Sequence, residues 1–527
     1  MAYKILDVAI IGAGVSGLYS AWRILSDGYA KEVTVFEASE HIGGRLLSVV
    51  PPNIPDMVAE LGGMRILPAV QPRIAKLIDS LNSKIKMEDK IETFPFPVDQ
   101  NENISYLRGT HLRLQDFADH SPKIPFSLTF QERGKIPGQI ILNAIEQIVP
   151  GITDSKLSEA ERRIMARSIS FNGKPLYQQG FWQVLAKVIS AEAYQLALSS
   201  GGYETTLINW NAADAIPWYL SDFGVAPDYR GFRNGFQQVP LLLSKLVHEL
   251  GGKVVCNHSL LGFNQTDDLI ELTIQGQEPI KTKALILAMP RRSLELISPN
   301  SPILQQENVL KLIRSVTPRP LFKLYTTYSN PWWRAAGVQK GRTTTDLPIR
   351  QTYYWPKNTG EPAEIGTKSM LMASYDDGLN IGFWDGFRPK RADFLRSDIK
   401  VPTTLEWFEG PANQNGGEYK LWDKYKAPAA MVEEIQRQLA LIHGLQFTPG
   451  VQDACFKDWG DDPFGGGWNS WNIGVDSDKV KVDILKPETN APVYVCGEAY
   501  SDAQGWVEGA LQTADMMLEK HFKISAL

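Results

Sequence analysis

A chain of 527 residues can form two to four folding units with substantial cores. Its 54 basic and 59 acidic residues are interspersed and leave a net charge of −5 with no long basic run, so no nucleic acid partner is expected. Three widely spaced cysteines, Cys256, Cys455 and Cys496, suggest neither a disulfide framework nor a metal site, and no apolar run reaches the ~18 residues that span a bilayer.

The first element, "DVAIIGAGVSGLYSAWRIL", is a buried strand followed by a glycine turn and a helix. Gly12, Gly14, Gly17 and Ala21 are spaced as G-x-G-x-x-G-x-x-x-A: the first glycine makes the turn, the second admits a pyrophosphate, and the third lets helix and strand approach. The next strand, "EVTVFEA", ends in Glu37, whose carboxylate can accept from both ribose hydroxyls and repels a 2′-phosphate. Gly43, Gly44 and Arg45 follow in "HIGGRL", a second glycine turn where a flavin dinucleotide, rather than NAD, is expected. The lack of a basic leader ahead of the first strand reads as a cytoplasmic protein.

In "AELGGMRILP", Arg65 stands among apolar neighbours. A guanidinium is costly to bury unless anionic or carbonyl oxygens meet its planar fork, so Arg65 is either a satisfied structural charge or a holder of an anion. "PGQIILNAIEQIV", "SEAERRIMARSI" and "FWQVLAKVISAEAYQLAL" carry apolar residues at helical spacing. Asp222 and Asp228, in "WYLSDFGVAPDYRGF", are cap or turn residues on the plain reading and pocket carboxylates on the functional one. "GGKVVCNHSLLGFNQTDDLIELTIQGQEPIKTKALILAMP" reads as a strand, a hairpin and a further strand, with Val254 and Val255 toward the adenine side or simply in the core.

"LFKLYTTY", "RQTYYW" and "SMLMASY" are strands of a second, mixed sheet. Lys323 in the first is either a snorkelling lysine or a functional one. Tyr353 and Tyr375 lie in the other two, and Tyr375 taken alone is a core tyrosine or a hydroxyl donor. Trp468 follows in "GGGWNSW". The last element is a strand, a Gly497-Glu498 turn and a long helix starting near Gly505 and Trp506, whose N-terminus can stabilise negative charge on a reduced flavin. With dinucleotide elements at both ends of the chain, the fold is expected to be α/β.

Taken together, "IIGAGVSGLYSAWRIL", "VFEASEHIGGR", "AELGGMRILP", "TTTDLPIRQTYYWP", "MLMASYDDG" and "GEAYSDAQGWVEGAL" resemble the flavin amine oxidase family, most closely its L-amino acid oxidases, over nearly the whole chain. The anchors, together with this family resemblance, imply a discontinuous, Rossmann-like FAD domain (1–70, 238–322, 446–527), a mixed-sheet substrate domain (71–115, 323–445) and a helical domain (116–237). The resemblance implies that Arg65 binds the substrate carboxylate with the Tyr375 hydroxyl and the Gly505 backbone, and that Lys323 holds a water against the flavin N5. It implies that Trp506, Trp468 and Tyr353 line the substrate cavity, and that Lys323, Arg65, Tyr375 and Trp506 carry catalysis. Gly12, Gly14, Gly17, Glu37, Gly44, Arg45, Gly63, Met64, Arg65, Val255, Glu498, Gly505 and Trp506 would contact FAD, and a homodimer is compatible with the family.

Two departures stand out. Where monoamine oxidases attach the flavin to a cysteine this chain has Trp468, so FAD is expected to be non-covalent. Where the venom enzymes carry a histidine near the substrate it offers only Asp222, Phe223 and Asp228. An aromatic sleeve ending in aspartates suits a long cationic side chain, so L-arginine or L-lysine is the expected substrate, deaminated with dioxygen as the oxidant. Oxidation of large aromatic or aliphatic L-amino acids, a decarboxylating monooxygenase, a polyamine or monoamine oxidase, and a flavin-binding module without turnover are the alternatives.

Overall fold

The computed structural model describes residues 5–119, 122–223, 228–388, 418–461 and 465–527. Its first sheet has seven strands. Lys253–Val255, Val33–Phe36, Ile5–Ile11 and Ile280–Leu287 lie side by side and parallel, and Val493–Val495 adds a further parallel strand to Ile280–Leu287. The antiparallel pair Leu260–Thr266 and Leu269–Ile274 completes it. Strand Val33–Phe36 is buried throughout and Ile5–Ile11 nearly so, as expected for a parallel sheet covered on both faces. Helix Val15–Ser26 packs there with Gln238–Glu249 and Val507–Met517, so segments some 490 residues apart share one core.

The second sheet runs Asp453–Asp458, Phe322–Tyr328, Ser369–Asp376, Gln351–Tyr354, Gly341–Thr345, Ile104–Leu107 and Thr110–Arg113. It is antiparallel except where Gly341–Thr345 meets Ile104–Leu107. Alternation along Phe322–Tyr328 sorts its side chains: Phe322, Leu324 and Tyr328 enter one apolar cluster, while Tyr325 enters the other, on the side where Lys323 lies. Strand pairing departs from the expected boundaries in two places. Asp453–Asp458, expected with the dinucleotide sheet, is an edge strand of this one, and Arg230–Phe232, expected among the helices, pairs with Thr93–Pro95.

The segments with helical spacing form helices, the third of them in two pieces, Phe181–Leu185 and Ala191–Gly201. Pro137–Ile148, Glu159–Ser168, Ala191–Gly201 and Ala212–Phe223 surround a core that includes Trp210, Phe181 and Ile145. Ser158 and Glu161 start Glu159–Ser168 with reciprocal hydrogen bonds, the capping pattern legible in "SEAE". Among the described residues no helix is long and apolar enough to cross a membrane.

Candidate functional site

At the glycine turn, Gly12 has φ +107°, and a Cβ there would lie 2.6 Å from the Ala288 carbonyl oxygen. A Cβ on Gly17 would lie 2.0 Å from the Gly12 oxygen, so the helix can approach the strand only through glycine. Helix Val15–Ser26 starts at Gly14 without a side-chain cap and with no acidic residue in its first turn, which leaves its leading amides for an anion. Glu37, at the end of the neighbouring strand, accepts from the Ala13 amide (2.8 Å) and from Ser39. Its own amide donates to the Val255 carbonyl. The second glycine turn lies against the first, with Gly14 and Gly43 bridged. These residues fit the phosphates and ribose of a dinucleotide.

Arg45 connects this end to the substrate side. It pairs with Glu498 at 2.6 Å and donates to the Gly467 carbonyl. The buried Glu498 carboxylate also accepts from both nitrogens of Asn469 (3.0 and 2.9 Å) and from the Gly505 amide (2.7 Å). Its oxygens are thus engaged in fastening three separate segments.

Beyond that joint the chain runs Gly62-Gly63-Met64-Arg65. A Cβ on Gly62 would lie 2.1 Å from the Arg45 carbonyl oxygen and one on Gly63 would lie 2.7 Å from a Leu46 methyl, so side chains are excluded where this turn crosses the preceding segment. Met64 is buried in the apolar cluster. Arg65, 5 % exposed, has no carboxylate oxygen within 4.0 Å among the described residues. Its guanidinium donates to the hydroxyls of Tyr353 (3.1 Å) and Tyr203 (3.4 Å) and lies 4.0 Å from the Tyr229 ring centroid. Tyr375 stands edge-on to Tyr203, with centroids 5.2 Å apart, which closes a tyrosine cage. A buried guanidinium satisfied only by neutral phenols retains most of its attraction for an anion.

Lys323 lies opposite Tyr375 in the strand register, with its ammonium 4.8 Å from that ring. It is 1 % exposed and donates to the carbonyls of Glu60 (3.1 Å) and Gly62. Burial holds its pKa down at about 7, against the pull of Glu60 and with the push of Arg65.

The aromatic wall is built on Trp468, which stacks on Trp218 at 5.8 Å and meets Trp210 edge-on. Gly505, at φ +84°, faces Trp468; a Cβ there would come within 3.6 Å of the tryptophan Cβ. The Trp218 indole donates to the Gln504 carbonyl. Trp506, Trp218, Leu67, Gln71 and Asp222 line a narrow cleft.

The two aspartates diverge. Asp222 is buried and accepts 2.5 Å from the Tyr229 hydroxyl. Asp228 is 74 % exposed, 3.9 Å from the half-buried Arg230, so the expected second pocket carboxylate is a solvated surface residue whose charge water already stabilises. Sequence reasoning missed Tyr203, Tyr229 and Glu60. "PDYRGF" and "GGYETT" show nothing beyond a tyrosine near turn residues, and only tertiary contact brings them to Arg65.

The chain matches the family model described as flavin containing amine oxidoreductase over residues 15–390, more than half its length. It is 26% identical to Aplysianin-A of Aplysia kurodai, covering 98% of this chain and 90% of that one. It is 24% identical to L-amino acid oxidase Bs29 of Bothriechis schlegelii, covering 75% and 73%. Its fold is similar to that of wild-type putrescine oxidase bound to putrescine, at TM-score 0.64 and 16% identity, covering 97% of each chain.

Proposed function

Since the chain belongs to the flavin-containing amine oxidoreductase family, we propose that it is an FAD-dependent L-amino acid oxidase, converting an L-amino acid, water and dioxygen to a 2-oxo acid, ammonia and hydrogen peroxide. The observation that carries this reading is Arg65: a buried guanidinium surrounded by four tyrosines, with no carboxylate of its own within ion-pair distance among the described residues. An amine without a carboxylate has no use for it.

The glycine turns and Glu37 would hold FAD, which would supply a two-electron acceptor for the Cα hydride that dioxygen can reoxidise. The protein's work is positioning. Arg65 and the phenols of Tyr353 and Tyr203 hold the carboxylate, with Tyr375 beside them, and Trp468 and Trp506 wall the side chain. This fixes Cα and excludes water, and such positioning lowers a barrier by several kcal/mol. Lys323, with its pKa near 7, can be neutral at working pH and able to hold a proton close to Arg65.

For the side chain we propose a basic residue, L-arginine or L-lysine. Asp222, the one acidic candidate that lines the cleft with Trp218 and Trp506, supports this. The decisive experiment is a peroxide assay of the FAD-loaded protein against all L-amino acids, their D-forms and putrescine. Turnover confined to L-amino acids is expected. An amine preference, or an amide product in place of a 2-oxo acid, replaces the reading with amine oxidase or monooxygenase.

A further inference from the structure

Lys323 is pinned to the turn that precedes Arg65 by its bonds to the carbonyls of Glu60 and Gly62, and Tyr325 fixes the same Glu60 carbonyl with a 2.9 Å hydrogen bond. The side chain of Glu60 is 3 % exposed. One of its oxygens accepts from the Phe236 amide (2.7 Å) and the other from the Ser48 hydroxyl (2.6 Å). Among the described residues no cationic nitrogen lies within 4.0 Å of this carboxylate, and no carboxylate oxygen lies within 4.0 Å of Lys323. Two buried groups of opposite charge thus sit on and against one short strand, Ala59–Glu60, each solvated by neutral dipoles and neither with an ion partner of its own.

We infer that Glu60 is a positioning residue for the reaction, its buried carboxylate deciding whether Lys323 carries a proton near neutral pH. In a low-dielectric interior, opposite charges separated by more than contact distance still act on each other strongly. The charged and titratable groups around the pair include Tyr325, which burial and then the Glu60 carboxylate push up, and Arg233 and Lys357 in the cleft that Glu60 lines. Arg65 opposes protonation of Lys323, and Tyr375 and Lys457 lie opposite it on the two neighbouring strands. That cleft is distinct from the one beside Trp506. Burial raises Glu60 to about 7, with Ser48, Phe236 and Lys323 pulling the other way, so acid and base cross in the same pH range.

The inference rests on the oxidase reading only through the kinetic arm of its test. Anaerobic flavin reduction by the best L-amino acid is followed from about pH 5 to 10, with thermal midpoints of the same FAD-loaded samples, in wild type, Glu60→Gln, Ser48→Ala and Lys323→Met. The pH limb that Lys323→Met abolishes should move to lower pH by about one unit in Glu60→Gln. Ser48→Ala, which weakens the carboxylate's ionisation, should move it less in the same direction. In the melts, wild type should lose stability between pH 4.5 and 7, because folded Glu60 retains a proton that the unfolded chain has released, and Glu60→Gln should lack that loss. A limb and a melt profile matching wild type in Glu60→Gln overturn the inference. If that variant fails to load FAD, an unmoved limb in Ser48→Ala overturns it. If no L-amino acid reduces the wild type, the oxidase reading fails, and the inference is then decided by the loss of stability toward lower pH that Lys323→Met abolishes: it extends to lower pH in Glu60→Gln if the inference holds and keeps the wild-type range if it does not.

Discussion

The guanidinium carbon of Arg65 stands 4.0 Å from the ring centroid of Tyr229, and the hydroxyl of that tyrosine is bonded at 2.5 Å to Asp222. One ring therefore stands between the Arg65 guanidinium and Asp222, a buried acid of the cleft beside Trp506 that Glu159 and Asp502 also line. Among the described residues no ion pair joins the two, although they still act on each other across the ring: Asp222 helps to hold the guanidinium charged, and Arg65 pulls the carboxyl down against the effect of its burial.

Arg65→Ala leaves the substrate carboxylate unpaired in a buried site, and the loss is about 2–5 kcal/mol of transition-state binding. The expected outcome is a fall in kcat/KM for L-amino acids by a factor of tens to thousands, with FAD content and thermal midpoint near wild type. Arg65→Lys recovers little, because a point charge does not reproduce the fork that meets Tyr353 and Tyr203. Near-native efficiency in the alanine variant makes Arg65 structural.

Asp222→Asn and Asp228→Asn should separate cleanly. Asp228 is solvated, so its variant is expected within experimental error of wild type on every substrate. Asp222→Asn is expected to lower kcat/KM for L-arginine and L-lysine while sparing phenylalanine and leucine. Ranking the four substrates in both variants checks this, and an unchanged ranking in Asp222→Asn removes the basic side chain from the proposal.

FAD should leave the polypeptide on acid precipitation. The three cysteines are free, and none occupies the stretch around Trp468. Gly12→Ala should abolish FAD retention, because a methyl group there meets the Ala288 oxygen at 2.6 Å on a backbone with φ +107°. Flavin fluorescence of supernatant and pellet reads both outcomes; yellow colour in the pellet indicates a covalent bond.

Lys323→Met should change stability in a pH-dependent way. Burial lowers the lysine from 10.5 to about 7, so between those values the unfolded chain holds the proton that the folded one has lost. The stability of wild type therefore falls as pH drops from 10 toward 7, and the methionine variant escapes that fall. Urea melts should show its relative stability rising over this interval by on the order of a few kcal/mol. A difference that stays constant with pH means that Lys323 titrates normally.

The dinucleotide end was legible because its chemistry is local. A strand, three glycines, a helix and an acid at the next strand end fit within Ile5 to Glu37, and the clash at Gly17 is with the nearby Gly12 oxygen, although the one at Gly12 is with Ala288, far along the chain. Arg65 and Lys323 could be singled out because a charge in an apolar run is a local anomaly, although what each would face was not written beside it. Tertiary structure decided the rest. Glu498 could be read as a cofactor contact, but its carboxylate binds Arg45, Asn469 and Gly505 once the two ends of the chain meet. Asp222 and Asp228, six positions apart and alike in sequence, part company because one is bonded to a buried tyrosine and the other lies in water. Tyr203 and Tyr229 carry no signal of their own. Burial and hydrogen-bond partners are set by segments distant in sequence, and those two quantities determine whether a polar side chain is a site or a surface.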